Sequence, residues 1–336
     1  MQRDLVLPMY EKLPRVTAKP VVDQKLEYTT LGNEVVPGIK DRPQILEHMI
    51  NRRNLAIDVM QGFDHAAPAA LNHHSIYHLY EYECKTRFLD NLLPIGGGFS
   101  LYNEMPTRFL LCRYVICLID DAMRHGKPFE LMAMRLNGDI YIGANKTTEQ
   151  FVDESTKMSA YGGLNFPRMV TTADSPVSFE HHQSVVKKLS LECRESMTSM
   201  TIFVSSVARA FDKTGEVVEV KTCGINVLGK LQNLPAFKAR NWWLRALLSG
   251  ANRIVYGLRR SDRRVHEVQE ASLSDLTHGH FHFSGNELFS FIFNLFNKVD
   301  LMIPQNGEMC LIRSNRFEKV TISRTTAESL KRSPFW

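Results

Sequence analysis

Glu219 and Lys221 are the residues whose types and spacing best suit chemistry. They stand two apart in the β-branched run Gly215-Glu216-Val217-Val218-Glu219-Val220-Lys221-Thr222-Cys223-Gly224. On a strand, residues i and i+2 project from the same face, about 7 Å apart. A carboxylate and an ammonium held this way are the start of a metal-assisted phosphate-cleaving site. Glu216 falls on the opposite face by simple alternation. Mg²⁺ and Mn²⁺ take hard oxygen ligands, so the rest of the chain would have to supply more carboxylates. Taken alone, Glu-Val-Lys also describes a solvated surface pair.

Other clusters carry less. His74 and His78 have a helical i,i+4 zinc spacing beside His73, and His278, His280 and His282 alternate as on one strand face. Neither set has an acid or cysteine placed to complete it, so both read as ordinary histidines. Gly96-Gly97-Gly98 lacks the following Gly-Lys-Ser/Thr of a phosphate loop and reads as a helix stop. Arg259, Arg260, Arg263 and Arg264 crowd one hairpin, and Lys238 and Arg240 precede the pair Trp242-Trp243. Such cations are either a solvated turn or phosphate contacts. Arg113 sits in the apolar run Arg108-Phe-Leu-Leu-Cys-Arg-Tyr-Val-Ile-Cys-Leu-Ile119, where a charge needs a partner.

The elements that must position these residues follow from periodicity. Residues 1–45, rich in Pro and charge, predict an extended arm that wraps a body spanning 46–336. Helices are predicted over 44–60, 69–93, 106–123, 148–160, 235–249 and 285–299, with 161–180 as loop. Strands are predicted near 129–135 and 139–143, joined by the hairpin dipeptide Asn137-Gly138. Further strands are expected near 185–194, 200–210, 216–222, 252–259, 264–271, 309–313 and 317–323. The interleaving predicts a single α/β domain, a mixed β-sheet core flanked by helices. The Phe-rich helix carrying Phe289, Phe291, Phe293 and Phe296 reads as core, with a partner-docking face as the alternative.

Composition sets the outer bounds. The chain has 336 residues, 44% hydrophobic and 23% charged, enough for a sizeable core. A net charge of +5 suits an acidic partner without specifying one. Six cysteines, none in a C-x-x-C pair and several in apolar runs, predict reduced thiols. The first residues, with Arg3 and Asp4 and no apolar core segment, predict no secretory leader. No run of 18 or more apolar residues exists, so no membrane helix and no membrane partner are expected.

An ordered set of motifs then narrows the reading. Val218-Glu219-Val220-Lys221-Thr222 is followed by Asn241-Trp242-Trp243-Leu244-Arg245 and by Ile254-Val255-Tyr256-Gly257-Leu258-Arg259. This set resembles the DXO family, decapping exoribonucleases that process RNA 5′ ends. The resemblance is specific over 185–336, fair over 107–170 and weak before that. It implies a DXO-like fold with a groove beside the 216–222 strand. The family's metal acids are implied at Pro167, in Gly163-Leu164-Asn165-Phe166-Pro167, and at Ser206 and Ala208 on the preceding strand. Its glutamine after the Trp pair is Arg245 here. Arg113 matches the family's phosphate-contacting arginine.

Relative to that pattern the groove loses three negative charges and gains one positive. Each nearby charge is worth about a few kcal/mol at an effective dielectric of about 20. The resemblance therefore implies a catalytically degenerate member with no metal and no cofactor, in which Glu219 and Lys221 are remnants. The implied RNA-binding set is Arg113, Lys221, Arg245, Lys238, Arg240, Arg259 and Arg260. A structural salt bridge from Arg113, Lys221 and Arg245 to Glu219 remains the alternative. Two other functions also stay open: a metal-dependent nuclease using Asp153, Glu154 or Asp174, and a scaffold with a closed groove. The degenerate pattern further implies a nuclear, germline setting, with an RNA 5′ end and Rhino-like and Deadlock-like proteins as partners.

Overall fold

The computed structural model describes residues 4–9, 13–31, 34–64, 76–90, 107–144, 153–172, 181–224, 234–277, 285–315 and 319–326. His73, His74, Gly96-Gly97-Gly98, Asp174, His278, His280 and His282 lie outside them.

The arm enters the body as strands: β1 (Leu5–Pro8), β2 (Val16–Leu31) and β3 (Glu34–Pro37). A two-residue strand β4 (Ile57–Asp58), helix α1 (Ile76–Thr86) and strand β5 (Arg108–Cys112) follow. Then come α2 (Arg113–His125), the hairpin β6 (Phe129–Leu136) and β7 (Asp139–Ala144), and α3 (Glu154–Met169). Next are β8 (His181–Cys193), β9 (Thr198–Ala208), β10 (Val218–Gly224) and α4 (Ala236–Ser249). The chain continues through β11 (Arg253–Arg259), β12 (Arg264–Ser272), α5 (Asn286–Met302), β13 (Met309–Asn315) and β14 (Lys319–Thr325).

Ten strands form one sheet, ordered β1-β14-β13-β6-β7-β5-β9-β8-β2-β3. The arm thus occupies both edges of it. The other four form a small sheet, β10-β11-β12-β4, with β10 at an open edge. Pairing is antiparallel except where β5 runs parallel to β7 and β9, and β10 to β11. This mixed sheet core flanked by helices forms a single domain. The Phe-rich α5 is core: Phe289, Phe291, Phe293 and Phe296 are buried, and Phe296 stacks on Phe109 with ring centroids 5.0 Å apart.

Three predicted elements are different in the structure, each for a physical reason. Residues 106–123 are not one helix. Arg108–Cys112 is a central strand flanked by parallel neighbours, and such strands are apolar on both faces. Helix α2 begins at Arg113. Residues 44–60 are not a helix either, beyond a 3₁₀ turn at Glu47–Met49. Their backbone N–H groups bond other segments: Ile45 to Phe211 O at 2.9 Å, Leu46 to Val170 O at 2.9 Å, Asn51 to Val268 O at 2.7 Å. The apolar spacing there reflects an extended segment laid across the small sheet.

The third difference is α3, which runs through the expected loop to Met169 despite Gly162, Gly163 and Pro167. Asp153 caps it, accepting from Thr156 N at 2.7 Å. Tertiary packing holds its far end. Phe166 is buried against the small sheet, and a Cβ at Gly257 would stand 2.6 Å from its ring. Glycine at 257 is what lets α3 lie this close.

Arg240 is not available to RNA. It is 6% exposed and grips Asp120 of α2 through Nε at 3.0 Å and Nη2 at 2.7 Å. The pair ties α4 to α2. Asp120→Ala would take this carboxylate from a buried guanidinium, a loss of about 3–5 kcal/mol. Urea unfolding should report that loss, and the double variant Asp120→Leu/Arg240→Leu should recover most of it. Gly257→Ala should cost about 1–3 kcal/mol by overpacking against Phe166 in the same assay.

Candidate functional site

The site forms where the open edge of the small sheet faces the end of β9. Glu219 and Lys221 project together from β10, with Lys221 Nζ 2.6 Å from Glu219 Oε2. Arg113, in the first turn of α2, donates through Nη1 to Glu219 Oε1 and to the Arg245 carbonyl at 3.2 Å. Ser249, closing α4, donates to Glu219 Oε1 at 3.0 Å. Glu219 is 6% exposed and both of its oxygens are engaged. Burial pushes its carboxyl up, but Arg113 and Lys221 outweigh that and hold it far below the usual range.

A cavity of about 440 Å³ opens beside this carboxylate. Helix α3 walls it with Ser159, Ala160, Gly163 and Leu164, one face of the helix. Val207 and Arg209 enter from β9 and the residue after it, Val218 to Thr222 from β10, Arg245 from α4 and Arg259 from β11. Five cations, Arg113, Arg209, Lys221, Arg245 and Arg259, therefore surround one carboxylate.

The cations feel each other. Burial lowers Lys221 to about 8; Glu219 pulls it back up, but Arg245 and Arg113 push it down. Arg209 falls to about 10, first through burial and then through Arg113, with Arg245 adding to it. Burial, then Arg263, lowers Arg259. The buried Nε atoms of Arg245 and Arg259 have no hydrogen-bond partner among the described residues.

The structure brings together Arg113, Lys221, Arg245 and Arg259 from the sequence-predicted set. It leaves out Lys238, half-buried on α4, and Arg260, exposed at its hairpin turn; neither lines the cavity. Arg209 was missed. It lies one residue beyond Ala208 on the strand already singled out, and the error was one of register. Alternation from Val207 puts Arg209 in the cavity and turns Ser206 and Ala208 away. Ser206 donates to Leu248 O at 3.3 Å, and Ala208 belongs to the apolar cluster that includes Trp242 and Val185. Pro167 is likewise buried beyond the α3 residues that face the cavity. At these points of α3 and β9 it is Gly163, Val207 and Arg209 that line the cavity.

These residues do not fit a divalent cation. Among the described residues the cavity offers one carboxylate, already neutralised by two cations, and three more positive charges. Asp153 and Glu154 cannot swing in as loop residues, because they cap and start α3 more than one turn before Ser159. No group of three or more His, Cys, Asp or Glu side chains suited to a metal occurs among the described residues. No helix among them is long and apolar enough to cross a membrane. A larger cavity of about 800 Å³ lies between the arm and the start of α5, and its arginines Arg15, Arg124 and Arg194 are exposed.

Comparisons with known proteins agree on the fold. A family model described as a RAI1-like PD-(D/E)XK nuclease matches residues 105–335. Glu219-Val220-Lys221 fits the (D/E)XK half of that pattern. S. pombe Rai1 in complex with 3′-FADP is 14% identical, with a TM-score of 0.70 over 96% of this chain and 100% of that one. K. lactis Dxo1 in complex with manganese is 14% identical, with a TM-score of 0.66 over 96% of this chain and 98% of that one. Candida albicans Rai1 in complex with pU5 and Mn²⁺ is 12% identical, with a TM-score of 0.65 over 99% and 97% respectively. At such identities the likeness is one of fold. No curated relative matches the chain by sequence.

Lys221 gives the site a pH signature. Its value of about 8 in the folded chain lies below the ordinary 10.5, so the unfolded chain binds the proton more tightly. The penalty for holding Lys221 charged is fully present below pH of about 8 and is relieved as pH rises towards about 10.5. Across that window stability of the native chain should rise relative to Lys221→Met, measured by urea unfolding at each pH.

Proposed function

Because the chain belongs to the RAI1-like PD-(D/E)XK nuclease family, we propose that it uses the family's groove to hold an RNA 5′ end without cutting it. The observation that carries this reading is the sign of the site. One carboxylate with both oxygens engaged stands among five cations, an arrangement that attracts phosphate and repels Mg²⁺. Phosphodiester cleavage in a metal-dependent site needs a cation held by several hard oxygens, and this donor set lacks them. Lys221 and Arg245 would meet the phosphate, with Arg113 holding Glu219 in place beside them.

The setting we propose is nuclear and Cutoff-like. In it the protein shields nascent piRNA-precursor transcripts in the germline from decapping, degradation, splicing and termination, together with Rhino-like and Deadlock-like partners. What supports this finer part is that no acid stands at Pro167, Ser206 or Ala208, nor at the neighbouring cavity-facing positions Gly163, Val207 and Arg209.

The test is an assay of capped and 5′-phosphorylated RNA with Mn²⁺, run beside a binding titration at several salt concentrations. Binding should weaken steeply with salt and no turnover should appear. Lys221→Ala and Arg245→Ala should each weaken binding about tenfold or more. Turnover abolished by Glu219→Ala would establish an enzyme instead. No salt-dependent RNA binding at all would leave a scaffold.

A further inference from the structure

Three of the five cations are uncommitted. Arg113 and Lys221 already pair with Glu219, Lys221 through one of its three N–H donors. Arg209, Arg245 and Arg259 have no carboxylate partner among the described residues, and Arg209 has there only a long hydrogen bond, 3.5 Å from Nη1 to Gly163 O. The three side chains are half-buried, and like charges crowded there without counter-charges are unfavourable until an anion arrives.

Helix α3 is shaped for these guanidiniums. Pro167 has no N–H, so it cannot bond the carbonyl four residues earlier, that of Gly163. That carbonyl is left to accept from Arg209. Gly162 lets α3 lie close to Val59, whose Cγ2 would stand 3.2 Å from a Cβ at that position, with Arg259 Nη1 at contact distance beside it. A Cβ at Gly163 would meet nothing within 4 Å, so that wall faces empty space. The residue that reads in sequence as a lost acid therefore has a positive role, freeing an acceptor that holds a cation.

The charge count selects among phosphates. An internal phosphodiester carries one negative charge, and a terminal phosphomonoester about 1.5 to 2 near neutral pH with three free oxygens. Guanidinium groups present planar forks of donors that match such oxygens. In this cavity fixed guanidiniums supply the positive charge that a metal would bring. We infer that Arg209, Arg245 and Arg259 form a metal-free clamp that prefers the phosphomonoester at an RNA 5′ end over a 5′-hydroxyl end or an internal phosphodiester. This rests on the reading that the cavity binds an RNA end.

The experiment compares 5′-phosphorylated oligouridylate, 5′-hydroxyl oligouridylate and uridine monophosphate binding to the full chain in EDTA. The phosphorylated RNA should bind about 10- to 100-fold more tightly than the hydroxyl form. Arg209→Gln should abolish that preference. Gly163→Glu, which adds an acid to the open wall, should do the same, and thermal melting checks that both variants fold. Retained RNA binding with equal affinity for the two ends would overturn the clamp and leave the proposed function standing. A preference present in a parallel titration with Mn²⁺ but absent in EDTA would overturn the metal-free assignment. Uridine monophosphate binding as tightly as the phosphorylated RNA would overturn the assignment to RNA. Absence of RNA binding, or Mn²⁺-dependent cutting, would overturn the proposed function itself.

Discussion

A carboxylate buried as deeply as Glu219 must be compensated, and the way it is compensated organises the centre of this molecule. Arg113 reaches it from the first turn of α2, Lys221 from its own strand and Ser249 from the end of α4. These contacts join the small sheet to helices packed on the large one. They also consume the only carboxylate among the described residues that line the cavity. Once Glu219 is neutralised, no carboxylate among the described residues of the cavity lining balances Arg209, Arg245 and Arg259. Removing water from those groups without a counter-charge is costly, so the cavity's chemistry is set by an unmet demand for an anion.

The shape of the cavity comes from backbone features more than from polar side chains. Glycine at 257 brings α3 against the small sheet through Phe166. That approach places Gly162 and Gly163 opposite the arginines. Pro167 then opens one link of the helical hydrogen-bond ladder at the point where a cation needs an acceptor. A proline in a helix usually weakens it. Here the tertiary packing of Phe166 supplies the stability, and the freed carbonyl lies at the cavity wall.

Low identity to the solved relatives is consistent with this division of labour. The fold rests on apolar burial and on a few close contacts, such as Phe166 on Gly257 and Asp120 with Arg240. Those demands are met by many sequences with the right volume and pattern. Charges in the cavity are under no such packing constraint, so one architecture can carry a site of different sign.

Much of the fold was legible in the sequence. The alternating strands after residue 181, the Asn137-Gly138 hairpin, the helix with Trp242 and the Phe-rich helix follow from periodicity, because side chains must match the faces their elements bury. The pairing of Glu219 with Lys221 followed as well, since two residues on a strand fix a common face. Local pattern could not reveal where the run 106–123 changes from strand to helix, because a strand between parallel neighbours is as apolar as a buried helix. Nor could it set the register of β9: one residue's shift exchanged Ser206 and Ala208 for Val207 and Arg209. Only tertiary structure committed Arg240 to Asp120 and brought Arg209, Arg245 and Arg259 from three elements to one cavity. The sequence determined which charges the chain carries. Their partners depend on contacts between residues more than 100 positions apart, as between Arg113 and Glu219, and folding alone decides those.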